Sequence, residues 1–297
     1  MAIVEEPFGL INFNKPQGWS SRKAVDHVKR LVKPAKIGHA GTLDPLATGV
    51  LILTIGRATR LTPFLHDLPK SYRAKFLLGQ TSDTDDIESE VRPCEDSRPL
   101  TLADIEQQLP HFLGQIQQTP PIFSAVKIKG RRAYELARKG KAPEIKPREV
   151  EIHRLEIVEF SPESLVLDID CGTGTYVRSL GRDIAKAAGS CAVMSSLVRT
   201  RIGDFHLEDA VSPDAVSQDT LPNVMLPASA GVGGMTKITC DPSVVEQIRH
   251  GRPVPCSTAT PPPDGETCAL VTDDRQLLAI AEYQAALRQF APRHVFV

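Results

Sequence analysis

The chain has 297 residues, of which 41% are hydrophobic and 24% charged, and its formal net charge is −1. These values are typical of a soluble globular protein built from one large domain, or from a large domain and a small one. They argue against a membrane partner, because no apolar run approaches the length of a membrane span, and the acids near the N-terminus argue against a secretory signal.

The cysteines and histidines are scattered along the chain. The six cysteines form no C-x-x-C pair and lie at positions 94, 171, 191, 240, 256 and 268. This spacing is unlike that of a zinc site and is typical of reduced thiols in a cytoplasmic protein. The eight histidines show no H-x-x-x-H pairing, so we expect no bound metal.

The first third of the chain alternates between strand-like and helix-like segments. The predicted strands are residues 8–13, 50–55 and 71–78. The predicted helices are one capped by Ser20 or Ser21, with Ala24, Val25, Val28, Leu31 and Val32 on one face, a short one through Leu61 and Leu65, and one from Thr101 to about Leu113. The acidic segment 82–98 is expected to form an exposed loop.

The character changes at residues 119–150, which are predicted to form a basic arm with a short strand at 122–128 and a helix at 131–139. The main body resumes with strands at 150–159, 164–170 and 191–205 and a helix from Tyr176 to Ala188. Three prolines and the run Gly231-Val-Gly-Gly234 mark residues 211–235 as a linker. Short strand-like pieces and one helix predict a small β-barrel-like module at 236–297; they are 236–239, 242–250 (the helix), 267–272, 276–283 and 294–297.

Charge is strongly segregated in spite of the neutral total. Residues 15–36 carry seven Lys/Arg and one acid, and residues 121–150 carry nine and three. Residues 81–110 carry nine acids and two bases. Positive charge gathered in patches is typical of a protein that binds phosphate backbones, although either patch alone is equally typical of a solvated helix face.

The segment GHAGTLDPLATGVL at 38–51 is the most informative part of the chain. It presents one carboxylate, Asp44, between two glycines and ahead of an apolar strand. Pro45 disfavours helical backbone at Asp44, and Gly41 and Gly49 permit conformations that other residues resist. A loop of this kind suits a nucleophile or general base, but an Asx-type turn before a strand has the same composition.

Other residues could complete a site around Asp44. Arg178 falls in the first turn of the helix predicted from Tyr176, where its guanidinium could pair with the carboxylate; a surface arginine is the alternative. Tyr72 and Tyr176 are two of four tyrosines and could stack on bases. Gly172-Thr-Gly174 lacks the third glycine and the acid of a dinucleotide site, so we expect no cofactor.

Five ordered motifs resemble the TruB family of tRNA pseudouridine-55 synthases. They are NFNKPQGWSS at 12–21, GHAGTLDPLATG at 38–49, KSY at 70–72, GTYVR at 174–178 and LVRTRIG at 197–203. The resemblance implies an α+β fold, with a mixed and largely antiparallel central sheet flanked by helices. It assigns residues 1–228 to a catalytic domain and, more loosely, 236–297 to a PUA-type RNA-binding module. The basic arm at 119–150 is similar to the insertion that clasps the tRNA T-loop.

By the same resemblance, Asp44 is the catalytic aspartate and Arg178 pairs with it. Tyr72 stacks on the target uracil, and Tyr176 and Leu197 line its pocket.

His39 occupies the space vacated by the flipped nucleotide. Lys15 and Pro16 belong to a motif that is mainly structural. The implied partner is the T-arm stem-loop of tRNA, bound by a monomer that needs no guide RNA, membrane, metal or cofactor.

Three other functions remain open at this level. The chain could act chiefly as an RNA-folding factor, or as the modification subunit of a guide-RNA complex, although the basic arm argues against the latter. A hydrolase with an aspartate nucleophile would need magnesium ligands, for which Asp83, Asp85 and Asp86 are the available cluster. The residues alone do not decide which atom Asp44 attacks or which group removes the C5 proton.

Overall fold

The computed structural model describes residues 7–95, 97–123 and 145–297, together with the backbone of residues 127–128 and 131–132. The strands up to the basic arm are β1 (Gly9–Lys15), β2 (Ile37–Ala40), β3 (Thr48–Ile55), β4 (Lys70–Leu78), β5 (Gln80–Thr81), β6 (Arg92–Pro93), β7 (Gly114–Gln118), β8 (Lys127–Ile128) and β9 (Arg131–Arg132). The later strands are β10 (Arg148–Ser161), β11 (Ser164–Cys171), β12 (Ala192–Ile202), β13 (Phe205–His206), β14 (Lys237–Thr239), β15 (Val254–Pro255), β16 (Thr267–Val271), β17 (Leu277–Gln284) and β18 (Gln289–Val295).

The α-helices are short. They are α1 (Ser21–Lys29), α2 (Thr62–Asp67), α3 (Leu102–Gln108), α4 (Val177–Ala187), α5 (Leu221–Val224) and α6 (Val245–Arg249). Single 3-10 turns extend several of them. Within the described part of the chain, no helix has both the length and the apolar character that crossing a membrane requires.

A nine-stranded sheet forms the centre of the molecule. Its strand order is β1-β3-β12-β4-β11-β10-β7, with β2 also paired to β3 and β13 to β12. Neighbouring strands run antiparallel except β12 and β3, which are parallel. The mixed, largely antiparallel α+β architecture is therefore confirmed.

Two helices fix the geometry of this sheet near the predicted site. Ser20 caps α1 by accepting a hydrogen bond from the Lys23 N–H, and α1 buries its apolar face against β1 and β3. On α4, a Cβ added to Gly181 would come within 2.0 Å of the Phe76 ring of β4. The helix therefore approaches the sheet closely, which sets the position of Arg178 at its first turn.

A second sheet, in the order β14-β16-β17-β18-β15, forms the C-terminal module. β14, β16 and β17 agree with the predicted strands, whereas β15 was not predicted and the last strand begins at Gln289 rather than at residue 294. The left-handed backbone of Arg288 (φ 47°) closes a tight hairpin that places Gln289 opposite Gln284 and extends the pairing.

The prediction of a linker at 211–235 is wrong. Leu226 exchanges backbone hydrogen bonds with Leu10 of β1, and Val211 bridges to Phe13. Ala228 and Val232 are buried in a cluster that also holds residues of β16 and β17. The prolines that suggested a linker begin short helical turns, a position where a missing N–H costs nothing.

The acidic segment 82–98 is not simply an exposed loop. Asp86 is 1% exposed, and β6, which lies in the segment, pairs with β5 just before it. The expectation of reduced thiols also fails at one pair, because Cys94 and Cys191 are joined as a disulfide. Both lie beside Gly79, whose N–H donates to the Cys191 carbonyl and whose carbonyl accepts from the Cys94 N–H.

The basic arm is only partly described. β8 and β9 form a two-stranded ladder, so residues 131–132, predicted to begin a helix, are strand instead. The remainder of the predicted helix at 131–139 lies outside the described residues.

Candidate active site

The loop that carries Asp44 connects β2 to β3 and is held from both sides. The Ser21 hydroxyl accepts from the Leu43 N–H (2.8 Å) and donates to the Leu43 carbonyl (3.1 Å). The Gly18 N–H donates to the Pro45 carbonyl (2.8 Å). These three hydrogen bonds connect the loop to Ser21, the first residue of α1, and to Gly18 just before that helix, so this end of α1 supports the loop.

The two glycines of the loop have positive φ, +82° at Gly41 and +99° at Gly49. At Gly49 an added Cβ would lie 2.2 Å from the Arg199 carbonyl oxygen. Glycine is therefore required where the loop enters β3, because the parallel β12 strand passes directly beside it.

Asp44 and Arg178 form an ion pair. The Arg178 Nη2 atom lies 2.9 Å from Asp44 Oδ2, and the exposed fractions of the two side chains are 6% and 39%. The carboxylate is thus open to a ligand while the guanidinium behind it is not. A charge-assisted pair of this kind fixes the orientation of the carboxylate oxygens.

The second carboxylate on Arg178 is Asp86, which sequence reasoning missed. Arg178 Nη1 lies 3.2 Å from Asp86 Oδ2 and donates to the Thr84 carbonyl (2.6 Å). The Glu88 N–H donates in turn to Asp86 Oδ1 (3.0 Å). The composition of residues 82–98 suggested solvent exposure, and nothing in the local pattern around Asp86 signalled its bridge to Met194.

The same segment contacts α4 at a second point. Asp85 pairs with Arg182 (2.6 Å), one turn beyond Arg178. Burial raises the pKa of Asp85, and Arg182 opposes that shift. Since Asp85 and Asp86 each face an arginine, the cluster considered for magnesium is occupied by internal ion pairs, and among the described residues no group of acids, histidines or cysteines has the geometry of a metal site.

Tyr72 and Leu197 lie on the adjacent strands β4 and β12, on the side of the sheet that faces α4. Leu197 is 7% exposed and belongs to the same apolar cluster as Leu43 and Leu46, which flank Asp44. Tyr72 is half-buried against that cluster. Burial of the phenol raises the pKa of Tyr72, and the nearby Arg199 guanidinium opposes the shift, so the hydroxyl stays protonated near neutral pH.

Tyr176 is fixed by two residues that the sequence did not single out. Its N–H donates to the Gln118 side-chain oxygen (2.7 Å), and its carbonyl accepts from the Gln118 amide (3.0 Å). The Arg148 guanidinium lies 4.7 Å from the centre of the Tyr176 ring. Gln118 ends β7 and Arg148 begins β10. The sheet edge next to the basic arm therefore also holds the Tyr176 ring in position.

His39 lies on β2 at the start of the loop. Burial, together with the positive charges of His66 and Arg199, lowers the pKa of His39, so the imidazole is neutral at pH 7. Its Nδ1 atom is buried without a hydrogen-bond partner among the described residues.

Two buried cations lie behind the loop. The Lys15 ammonium donates to the Pro16 and Trp19 carbonyls, and burial lowers the pKa of Lys15 to about 8 against an opposing contribution from Asp44. Arg199 is 2% exposed and donates to the Val50 carbonyl (2.7 Å) and to the Gly41 carbonyl (3.0 Å). Arg199 looked like an ordinary strand residue, and nothing in its local pattern revealed this contact with the loop.

The structure therefore brings Asp44, Arg178, Tyr72 and Leu197 to one side of the sheet, with Tyr176 and His39 on the elements that border it. The arrangement offers an accessible carboxylate, a fixed guanidinium and an apolar wall with an aromatic ring. Such a site suits nucleophilic or acid–base chemistry on a flat, uncharged ring that is drawn out of water.

Comparison with known proteins identifies the family. The family model described as "TruB family pseudouridylate synthase (N terminal domain)" matches residues 29–177. The tRNA pseudouridine synthase B of Microcystis aeruginosa is 37% identical over 282 residues, which cover 94% of this chain and 95% of that protein. The enzyme of the same name from Moorella thermoacetica is 36% identical over 94% of this chain and 95% of its own length.

Solved structures share the fold. The archaeal box H/ACA Nop10–Cbf5 complex contains a chain that aligns with a TM-score of 0.74 at 23% identity, covering 99% of this chain and 88% of that one. An H/ACA ribonucleoprotein bound to a substrate RNA containing 2′-deoxyuridine contains a chain with the same TM-score and identity, covering 98% and 85%. Together with the family match and the relatives at 36–37% identity, these findings establish that the chain belongs to the TruB family of pseudouridylate synthases.

Proposed function

We propose that this protein isomerises uridine 55 in the T-loop of tRNA to pseudouridine, with Asp44 as the catalytic nucleophile on a flipped-out base. The observation that carries the proposal is the Asp44–Arg178 pair, in which the carboxylate is 39% exposed and its partner is buried. The relatives named tRNA pseudouridine synthase B support the choice of substrate.

The reaction breaks the bond from N1 to C1′, turns the uracil, and joins C5 to C1′. It needs an anionic nucleophile and a pocket that retains the detached base away from water. In the proposed mechanism Asp44 supplies the anion, and Arg178 holds its oxygens towards the pocket. Asp86 holds Arg178 from the other side and is a positioning residue, since Arg178 lies between it and Asp44.

The remaining residues bind the base. Tyr72 stacks on the uracil, and Leu197 and Tyr176 line the pocket. His39 fills the space that the extruded nucleotide leaves in the T-loop. Extrusion costs a few kcal/mol of lost stacking, which these contacts and those to the RNA backbone offset.

We assign residues 1–228 to the catalytic domain and 236–297 to a PUA-like RNA-binding domain, with the insertion at 119–150 clasping the T-loop. We further propose that the enzyme works as a monomer without guide RNA, in the cytoplasm where tRNA is modified. The Arg148–Tyr176 and Gln118–Tyr176 contacts support a link between the insertion and the uracil pocket, because Arg148 and Gln118 lie at the two ends of the insertion.

The test uses purified protein and a T-arm stem-loop transcript, with no other RNA, followed by carbodiimide treatment and primer extension. We expect one modified uridine, produced equally well in EDTA. Asp44→Asn should abolish the product and leave RNA affinity within about twofold, whereas Asp83→Asn, at an exposed acid paired with Arg92, should remain active. Turnover by Asp44→Asn would contradict the assignment of the nucleophile.

A further inference from the structure

A basic concavity of about 490 Å³ lies on α1, outside the uracil pocket. Four of its seven lining residues carry a fixed positive charge. The lining residues are Trp19, Lys23, Asp26, His27, Lys29, Arg30 and Lys33. The concavity accounts for most of the positive charge that the sequence gathers at residues 15–36.

These side chains share one side of the helix. Residues 19, 23, 26 and 30 follow each other at intervals of three or four, which places them in one row along α1 and its flanks. Trp19 forms the apolar wall at the start of this row. The Lys23 ammonium lies 4.6 Å from the centre of the indole, and the His27 ring packs beside it at 5.4 Å.

Most of the positive charges that line the concavity are not neutralised by ion pairs within the described part of the chain. Asp26, the acid in the row, already pairs with Arg22 (2.9 Å), which is not among the residues that line the concavity. Within residues 7–95, 97–123 and 145–297, no carboxylate lies within ion-pairing distance of Lys29, Arg30 or Lys33. All three side chains are exposed, so several positive charges face solvent side by side.

The concavity adjoins the Asp44 loop. The Trp19 carbonyl accepts from the Lys15 ammonium (2.6 Å), and Lys15 is close enough to Asp44 for the carboxylate to affect its pKa. One residue earlier, the Gly18 N–H donates to the Pro45 carbonyl (2.8 Å). The residue before Trp19, where the basic row starts, is therefore hydrogen-bonded to the residue that follows Asp44.

We propose that this face of α1 is a second RNA contact surface, which binds the phosphates of nucleotides next to the extruded one. The inference rests on the proposed function and adds a contact independent of the insertion at 119–150. Phosphate contacts by Lys and Arg fix the register of a nucleic acid without reading its sequence, and they release counterions. Lys23, on its flexible stem, would move from the indole face to a phosphate.

The test compares two double variants that each remove two exposed positive charges. Arg30→Gln/Lys33→Gln alters the surface, and Lys75→Gln/Lys186→Gln is the matched control. Lys75 lies on the outer side of β4, opposite to Tyr72, and Lys186 lies in the last turn of α4. Affinity for the T-arm stem-loop is measured from about 50 to 300 mM salt, a range in which phosphate contacts dominate the slope.

We expect Arg30→Gln/Lys33→Gln to lower affinity at least about tenfold near 100 mM salt and to reduce the log–log salt slope by about 1.5, because each contact contributes about 0.7–0.9. The control should keep the wild-type slope. Single-turnover rates at saturating RNA should stay within about twofold of wild type. Lys29→Gln/Lys33→Gln provides a second pair with the same expectation.

Equal slopes for surface and control variants, with an active wild type, would overturn this inference and leave the proposed function intact. A loss of affinity with an unchanged slope would also overturn it, because no phosphate contact would have been lost. Absence of pseudouridine with the wild-type protein would instead refute the proposed function.

Discussion

Arg178 and Asp86 form a buried ion pair, with 3.2 Å between Nη1 and Oδ2 and exposed fractions of 6% and 1%. The other terminal nitrogen of the same guanidinium lies 2.9 Å from Asp44. Asp86 and Asp44 therefore contact the same guanidinium. The segment 82–98 is part of the site although it lies far from Asp44 and Arg178 in the sequence.

Asp86→Asn should lower turnover at least about tenfold while RNA affinity stays within about twofold. The amide keeps the size of the side chain but removes the charge that holds one side of Arg178, a loss of about 1–3 kcal/mol for a charged hydrogen bond. Single-turnover rates and binding isotherms check this, with exposed Asp83→Asn as the control. Equal turnover in both variants would show that Arg178 does not need Asp86.

Arg199→Lys should destabilise the protein by about 1–3 kcal/mol and reduce turnover. The guanidinium donates to the carbonyls of Val50 and Gly41 from two different nitrogens, and one ammonium at the end of a flexible stem cannot replace both. Urea unfolding and kcat/KM measure the effect. Arg201→Lys is the matched control, since Arg201 is half-buried and donates to the Ser71 hydroxyl; a similar loss there would contradict a specific role for Arg199.

Gly49→Ala should cost about 2–4 kcal/mol in the free energy of unfolding. The new Cβ would meet the Arg199 carbonyl oxygen at 2.2 Å, and the φ of +99° disfavours any other residue. Gly172→Ala is the control, because its Cβ would make only ordinary contacts of 3.6 Å with Glu151. A Gly49 variant as stable as the Gly172 variant would show that β3 and β12 can separate locally.

Lys70 should make stability rise with pH. Burial, reinforced by Arg199, lowers the pKa of Lys70 to about 8 from 10.5. Below pH 8 the lysine is charged in both states, and the folded state bears the full cost of burying the charge. Between pH 8 and 10.5 the unfolded chain binds the extra proton, so stability increases with pH until the cost is gone.

Lys70→Met removes this titration. Between pH 7.5 and 9.5 the free energy of unfolding of the wild type should gain about 2 kcal/mol relative to that of the variant, as measured by urea unfolding at both pH values. Lys75 is exposed on the same strand, so the free energy of unfolding of Lys75→Met should change with pH as that of the wild type does. If the free energies of unfolding of the wild type and Lys70→Met changed equally with pH, Lys70 would have its ordinary pKa.

Much of the secondary structure followed from local pattern. The first strand, the cap at Ser20 and the helix at Tyr176 agree closely with prediction, because burial periodicity and capping act over a few residues. The Asp44 loop was also recognised from its own composition, since glycines and a proline around one acid constrain the backbone directly. Segment 211–235 was misjudged because short helical turns buried by distant strands carry no periodicity of their own.

The family motifs could be read from the sequence, and their resemblance implied the α+β class and the pair formed by Asp44 and Arg178, which the residues taken singly left open. The folded structure alone revealed that Asp86, Arg199 and Gln118 support that pair and its surroundings. Each of the three acts through a contact with residues far away in the chain, made by a buried polar group whose partner depends on how strands and helices pack. Local composition indicates whether a residue favours water. It does not indicate which partner forms a hydrogen bond or ion pair with a polar group once that group is buried.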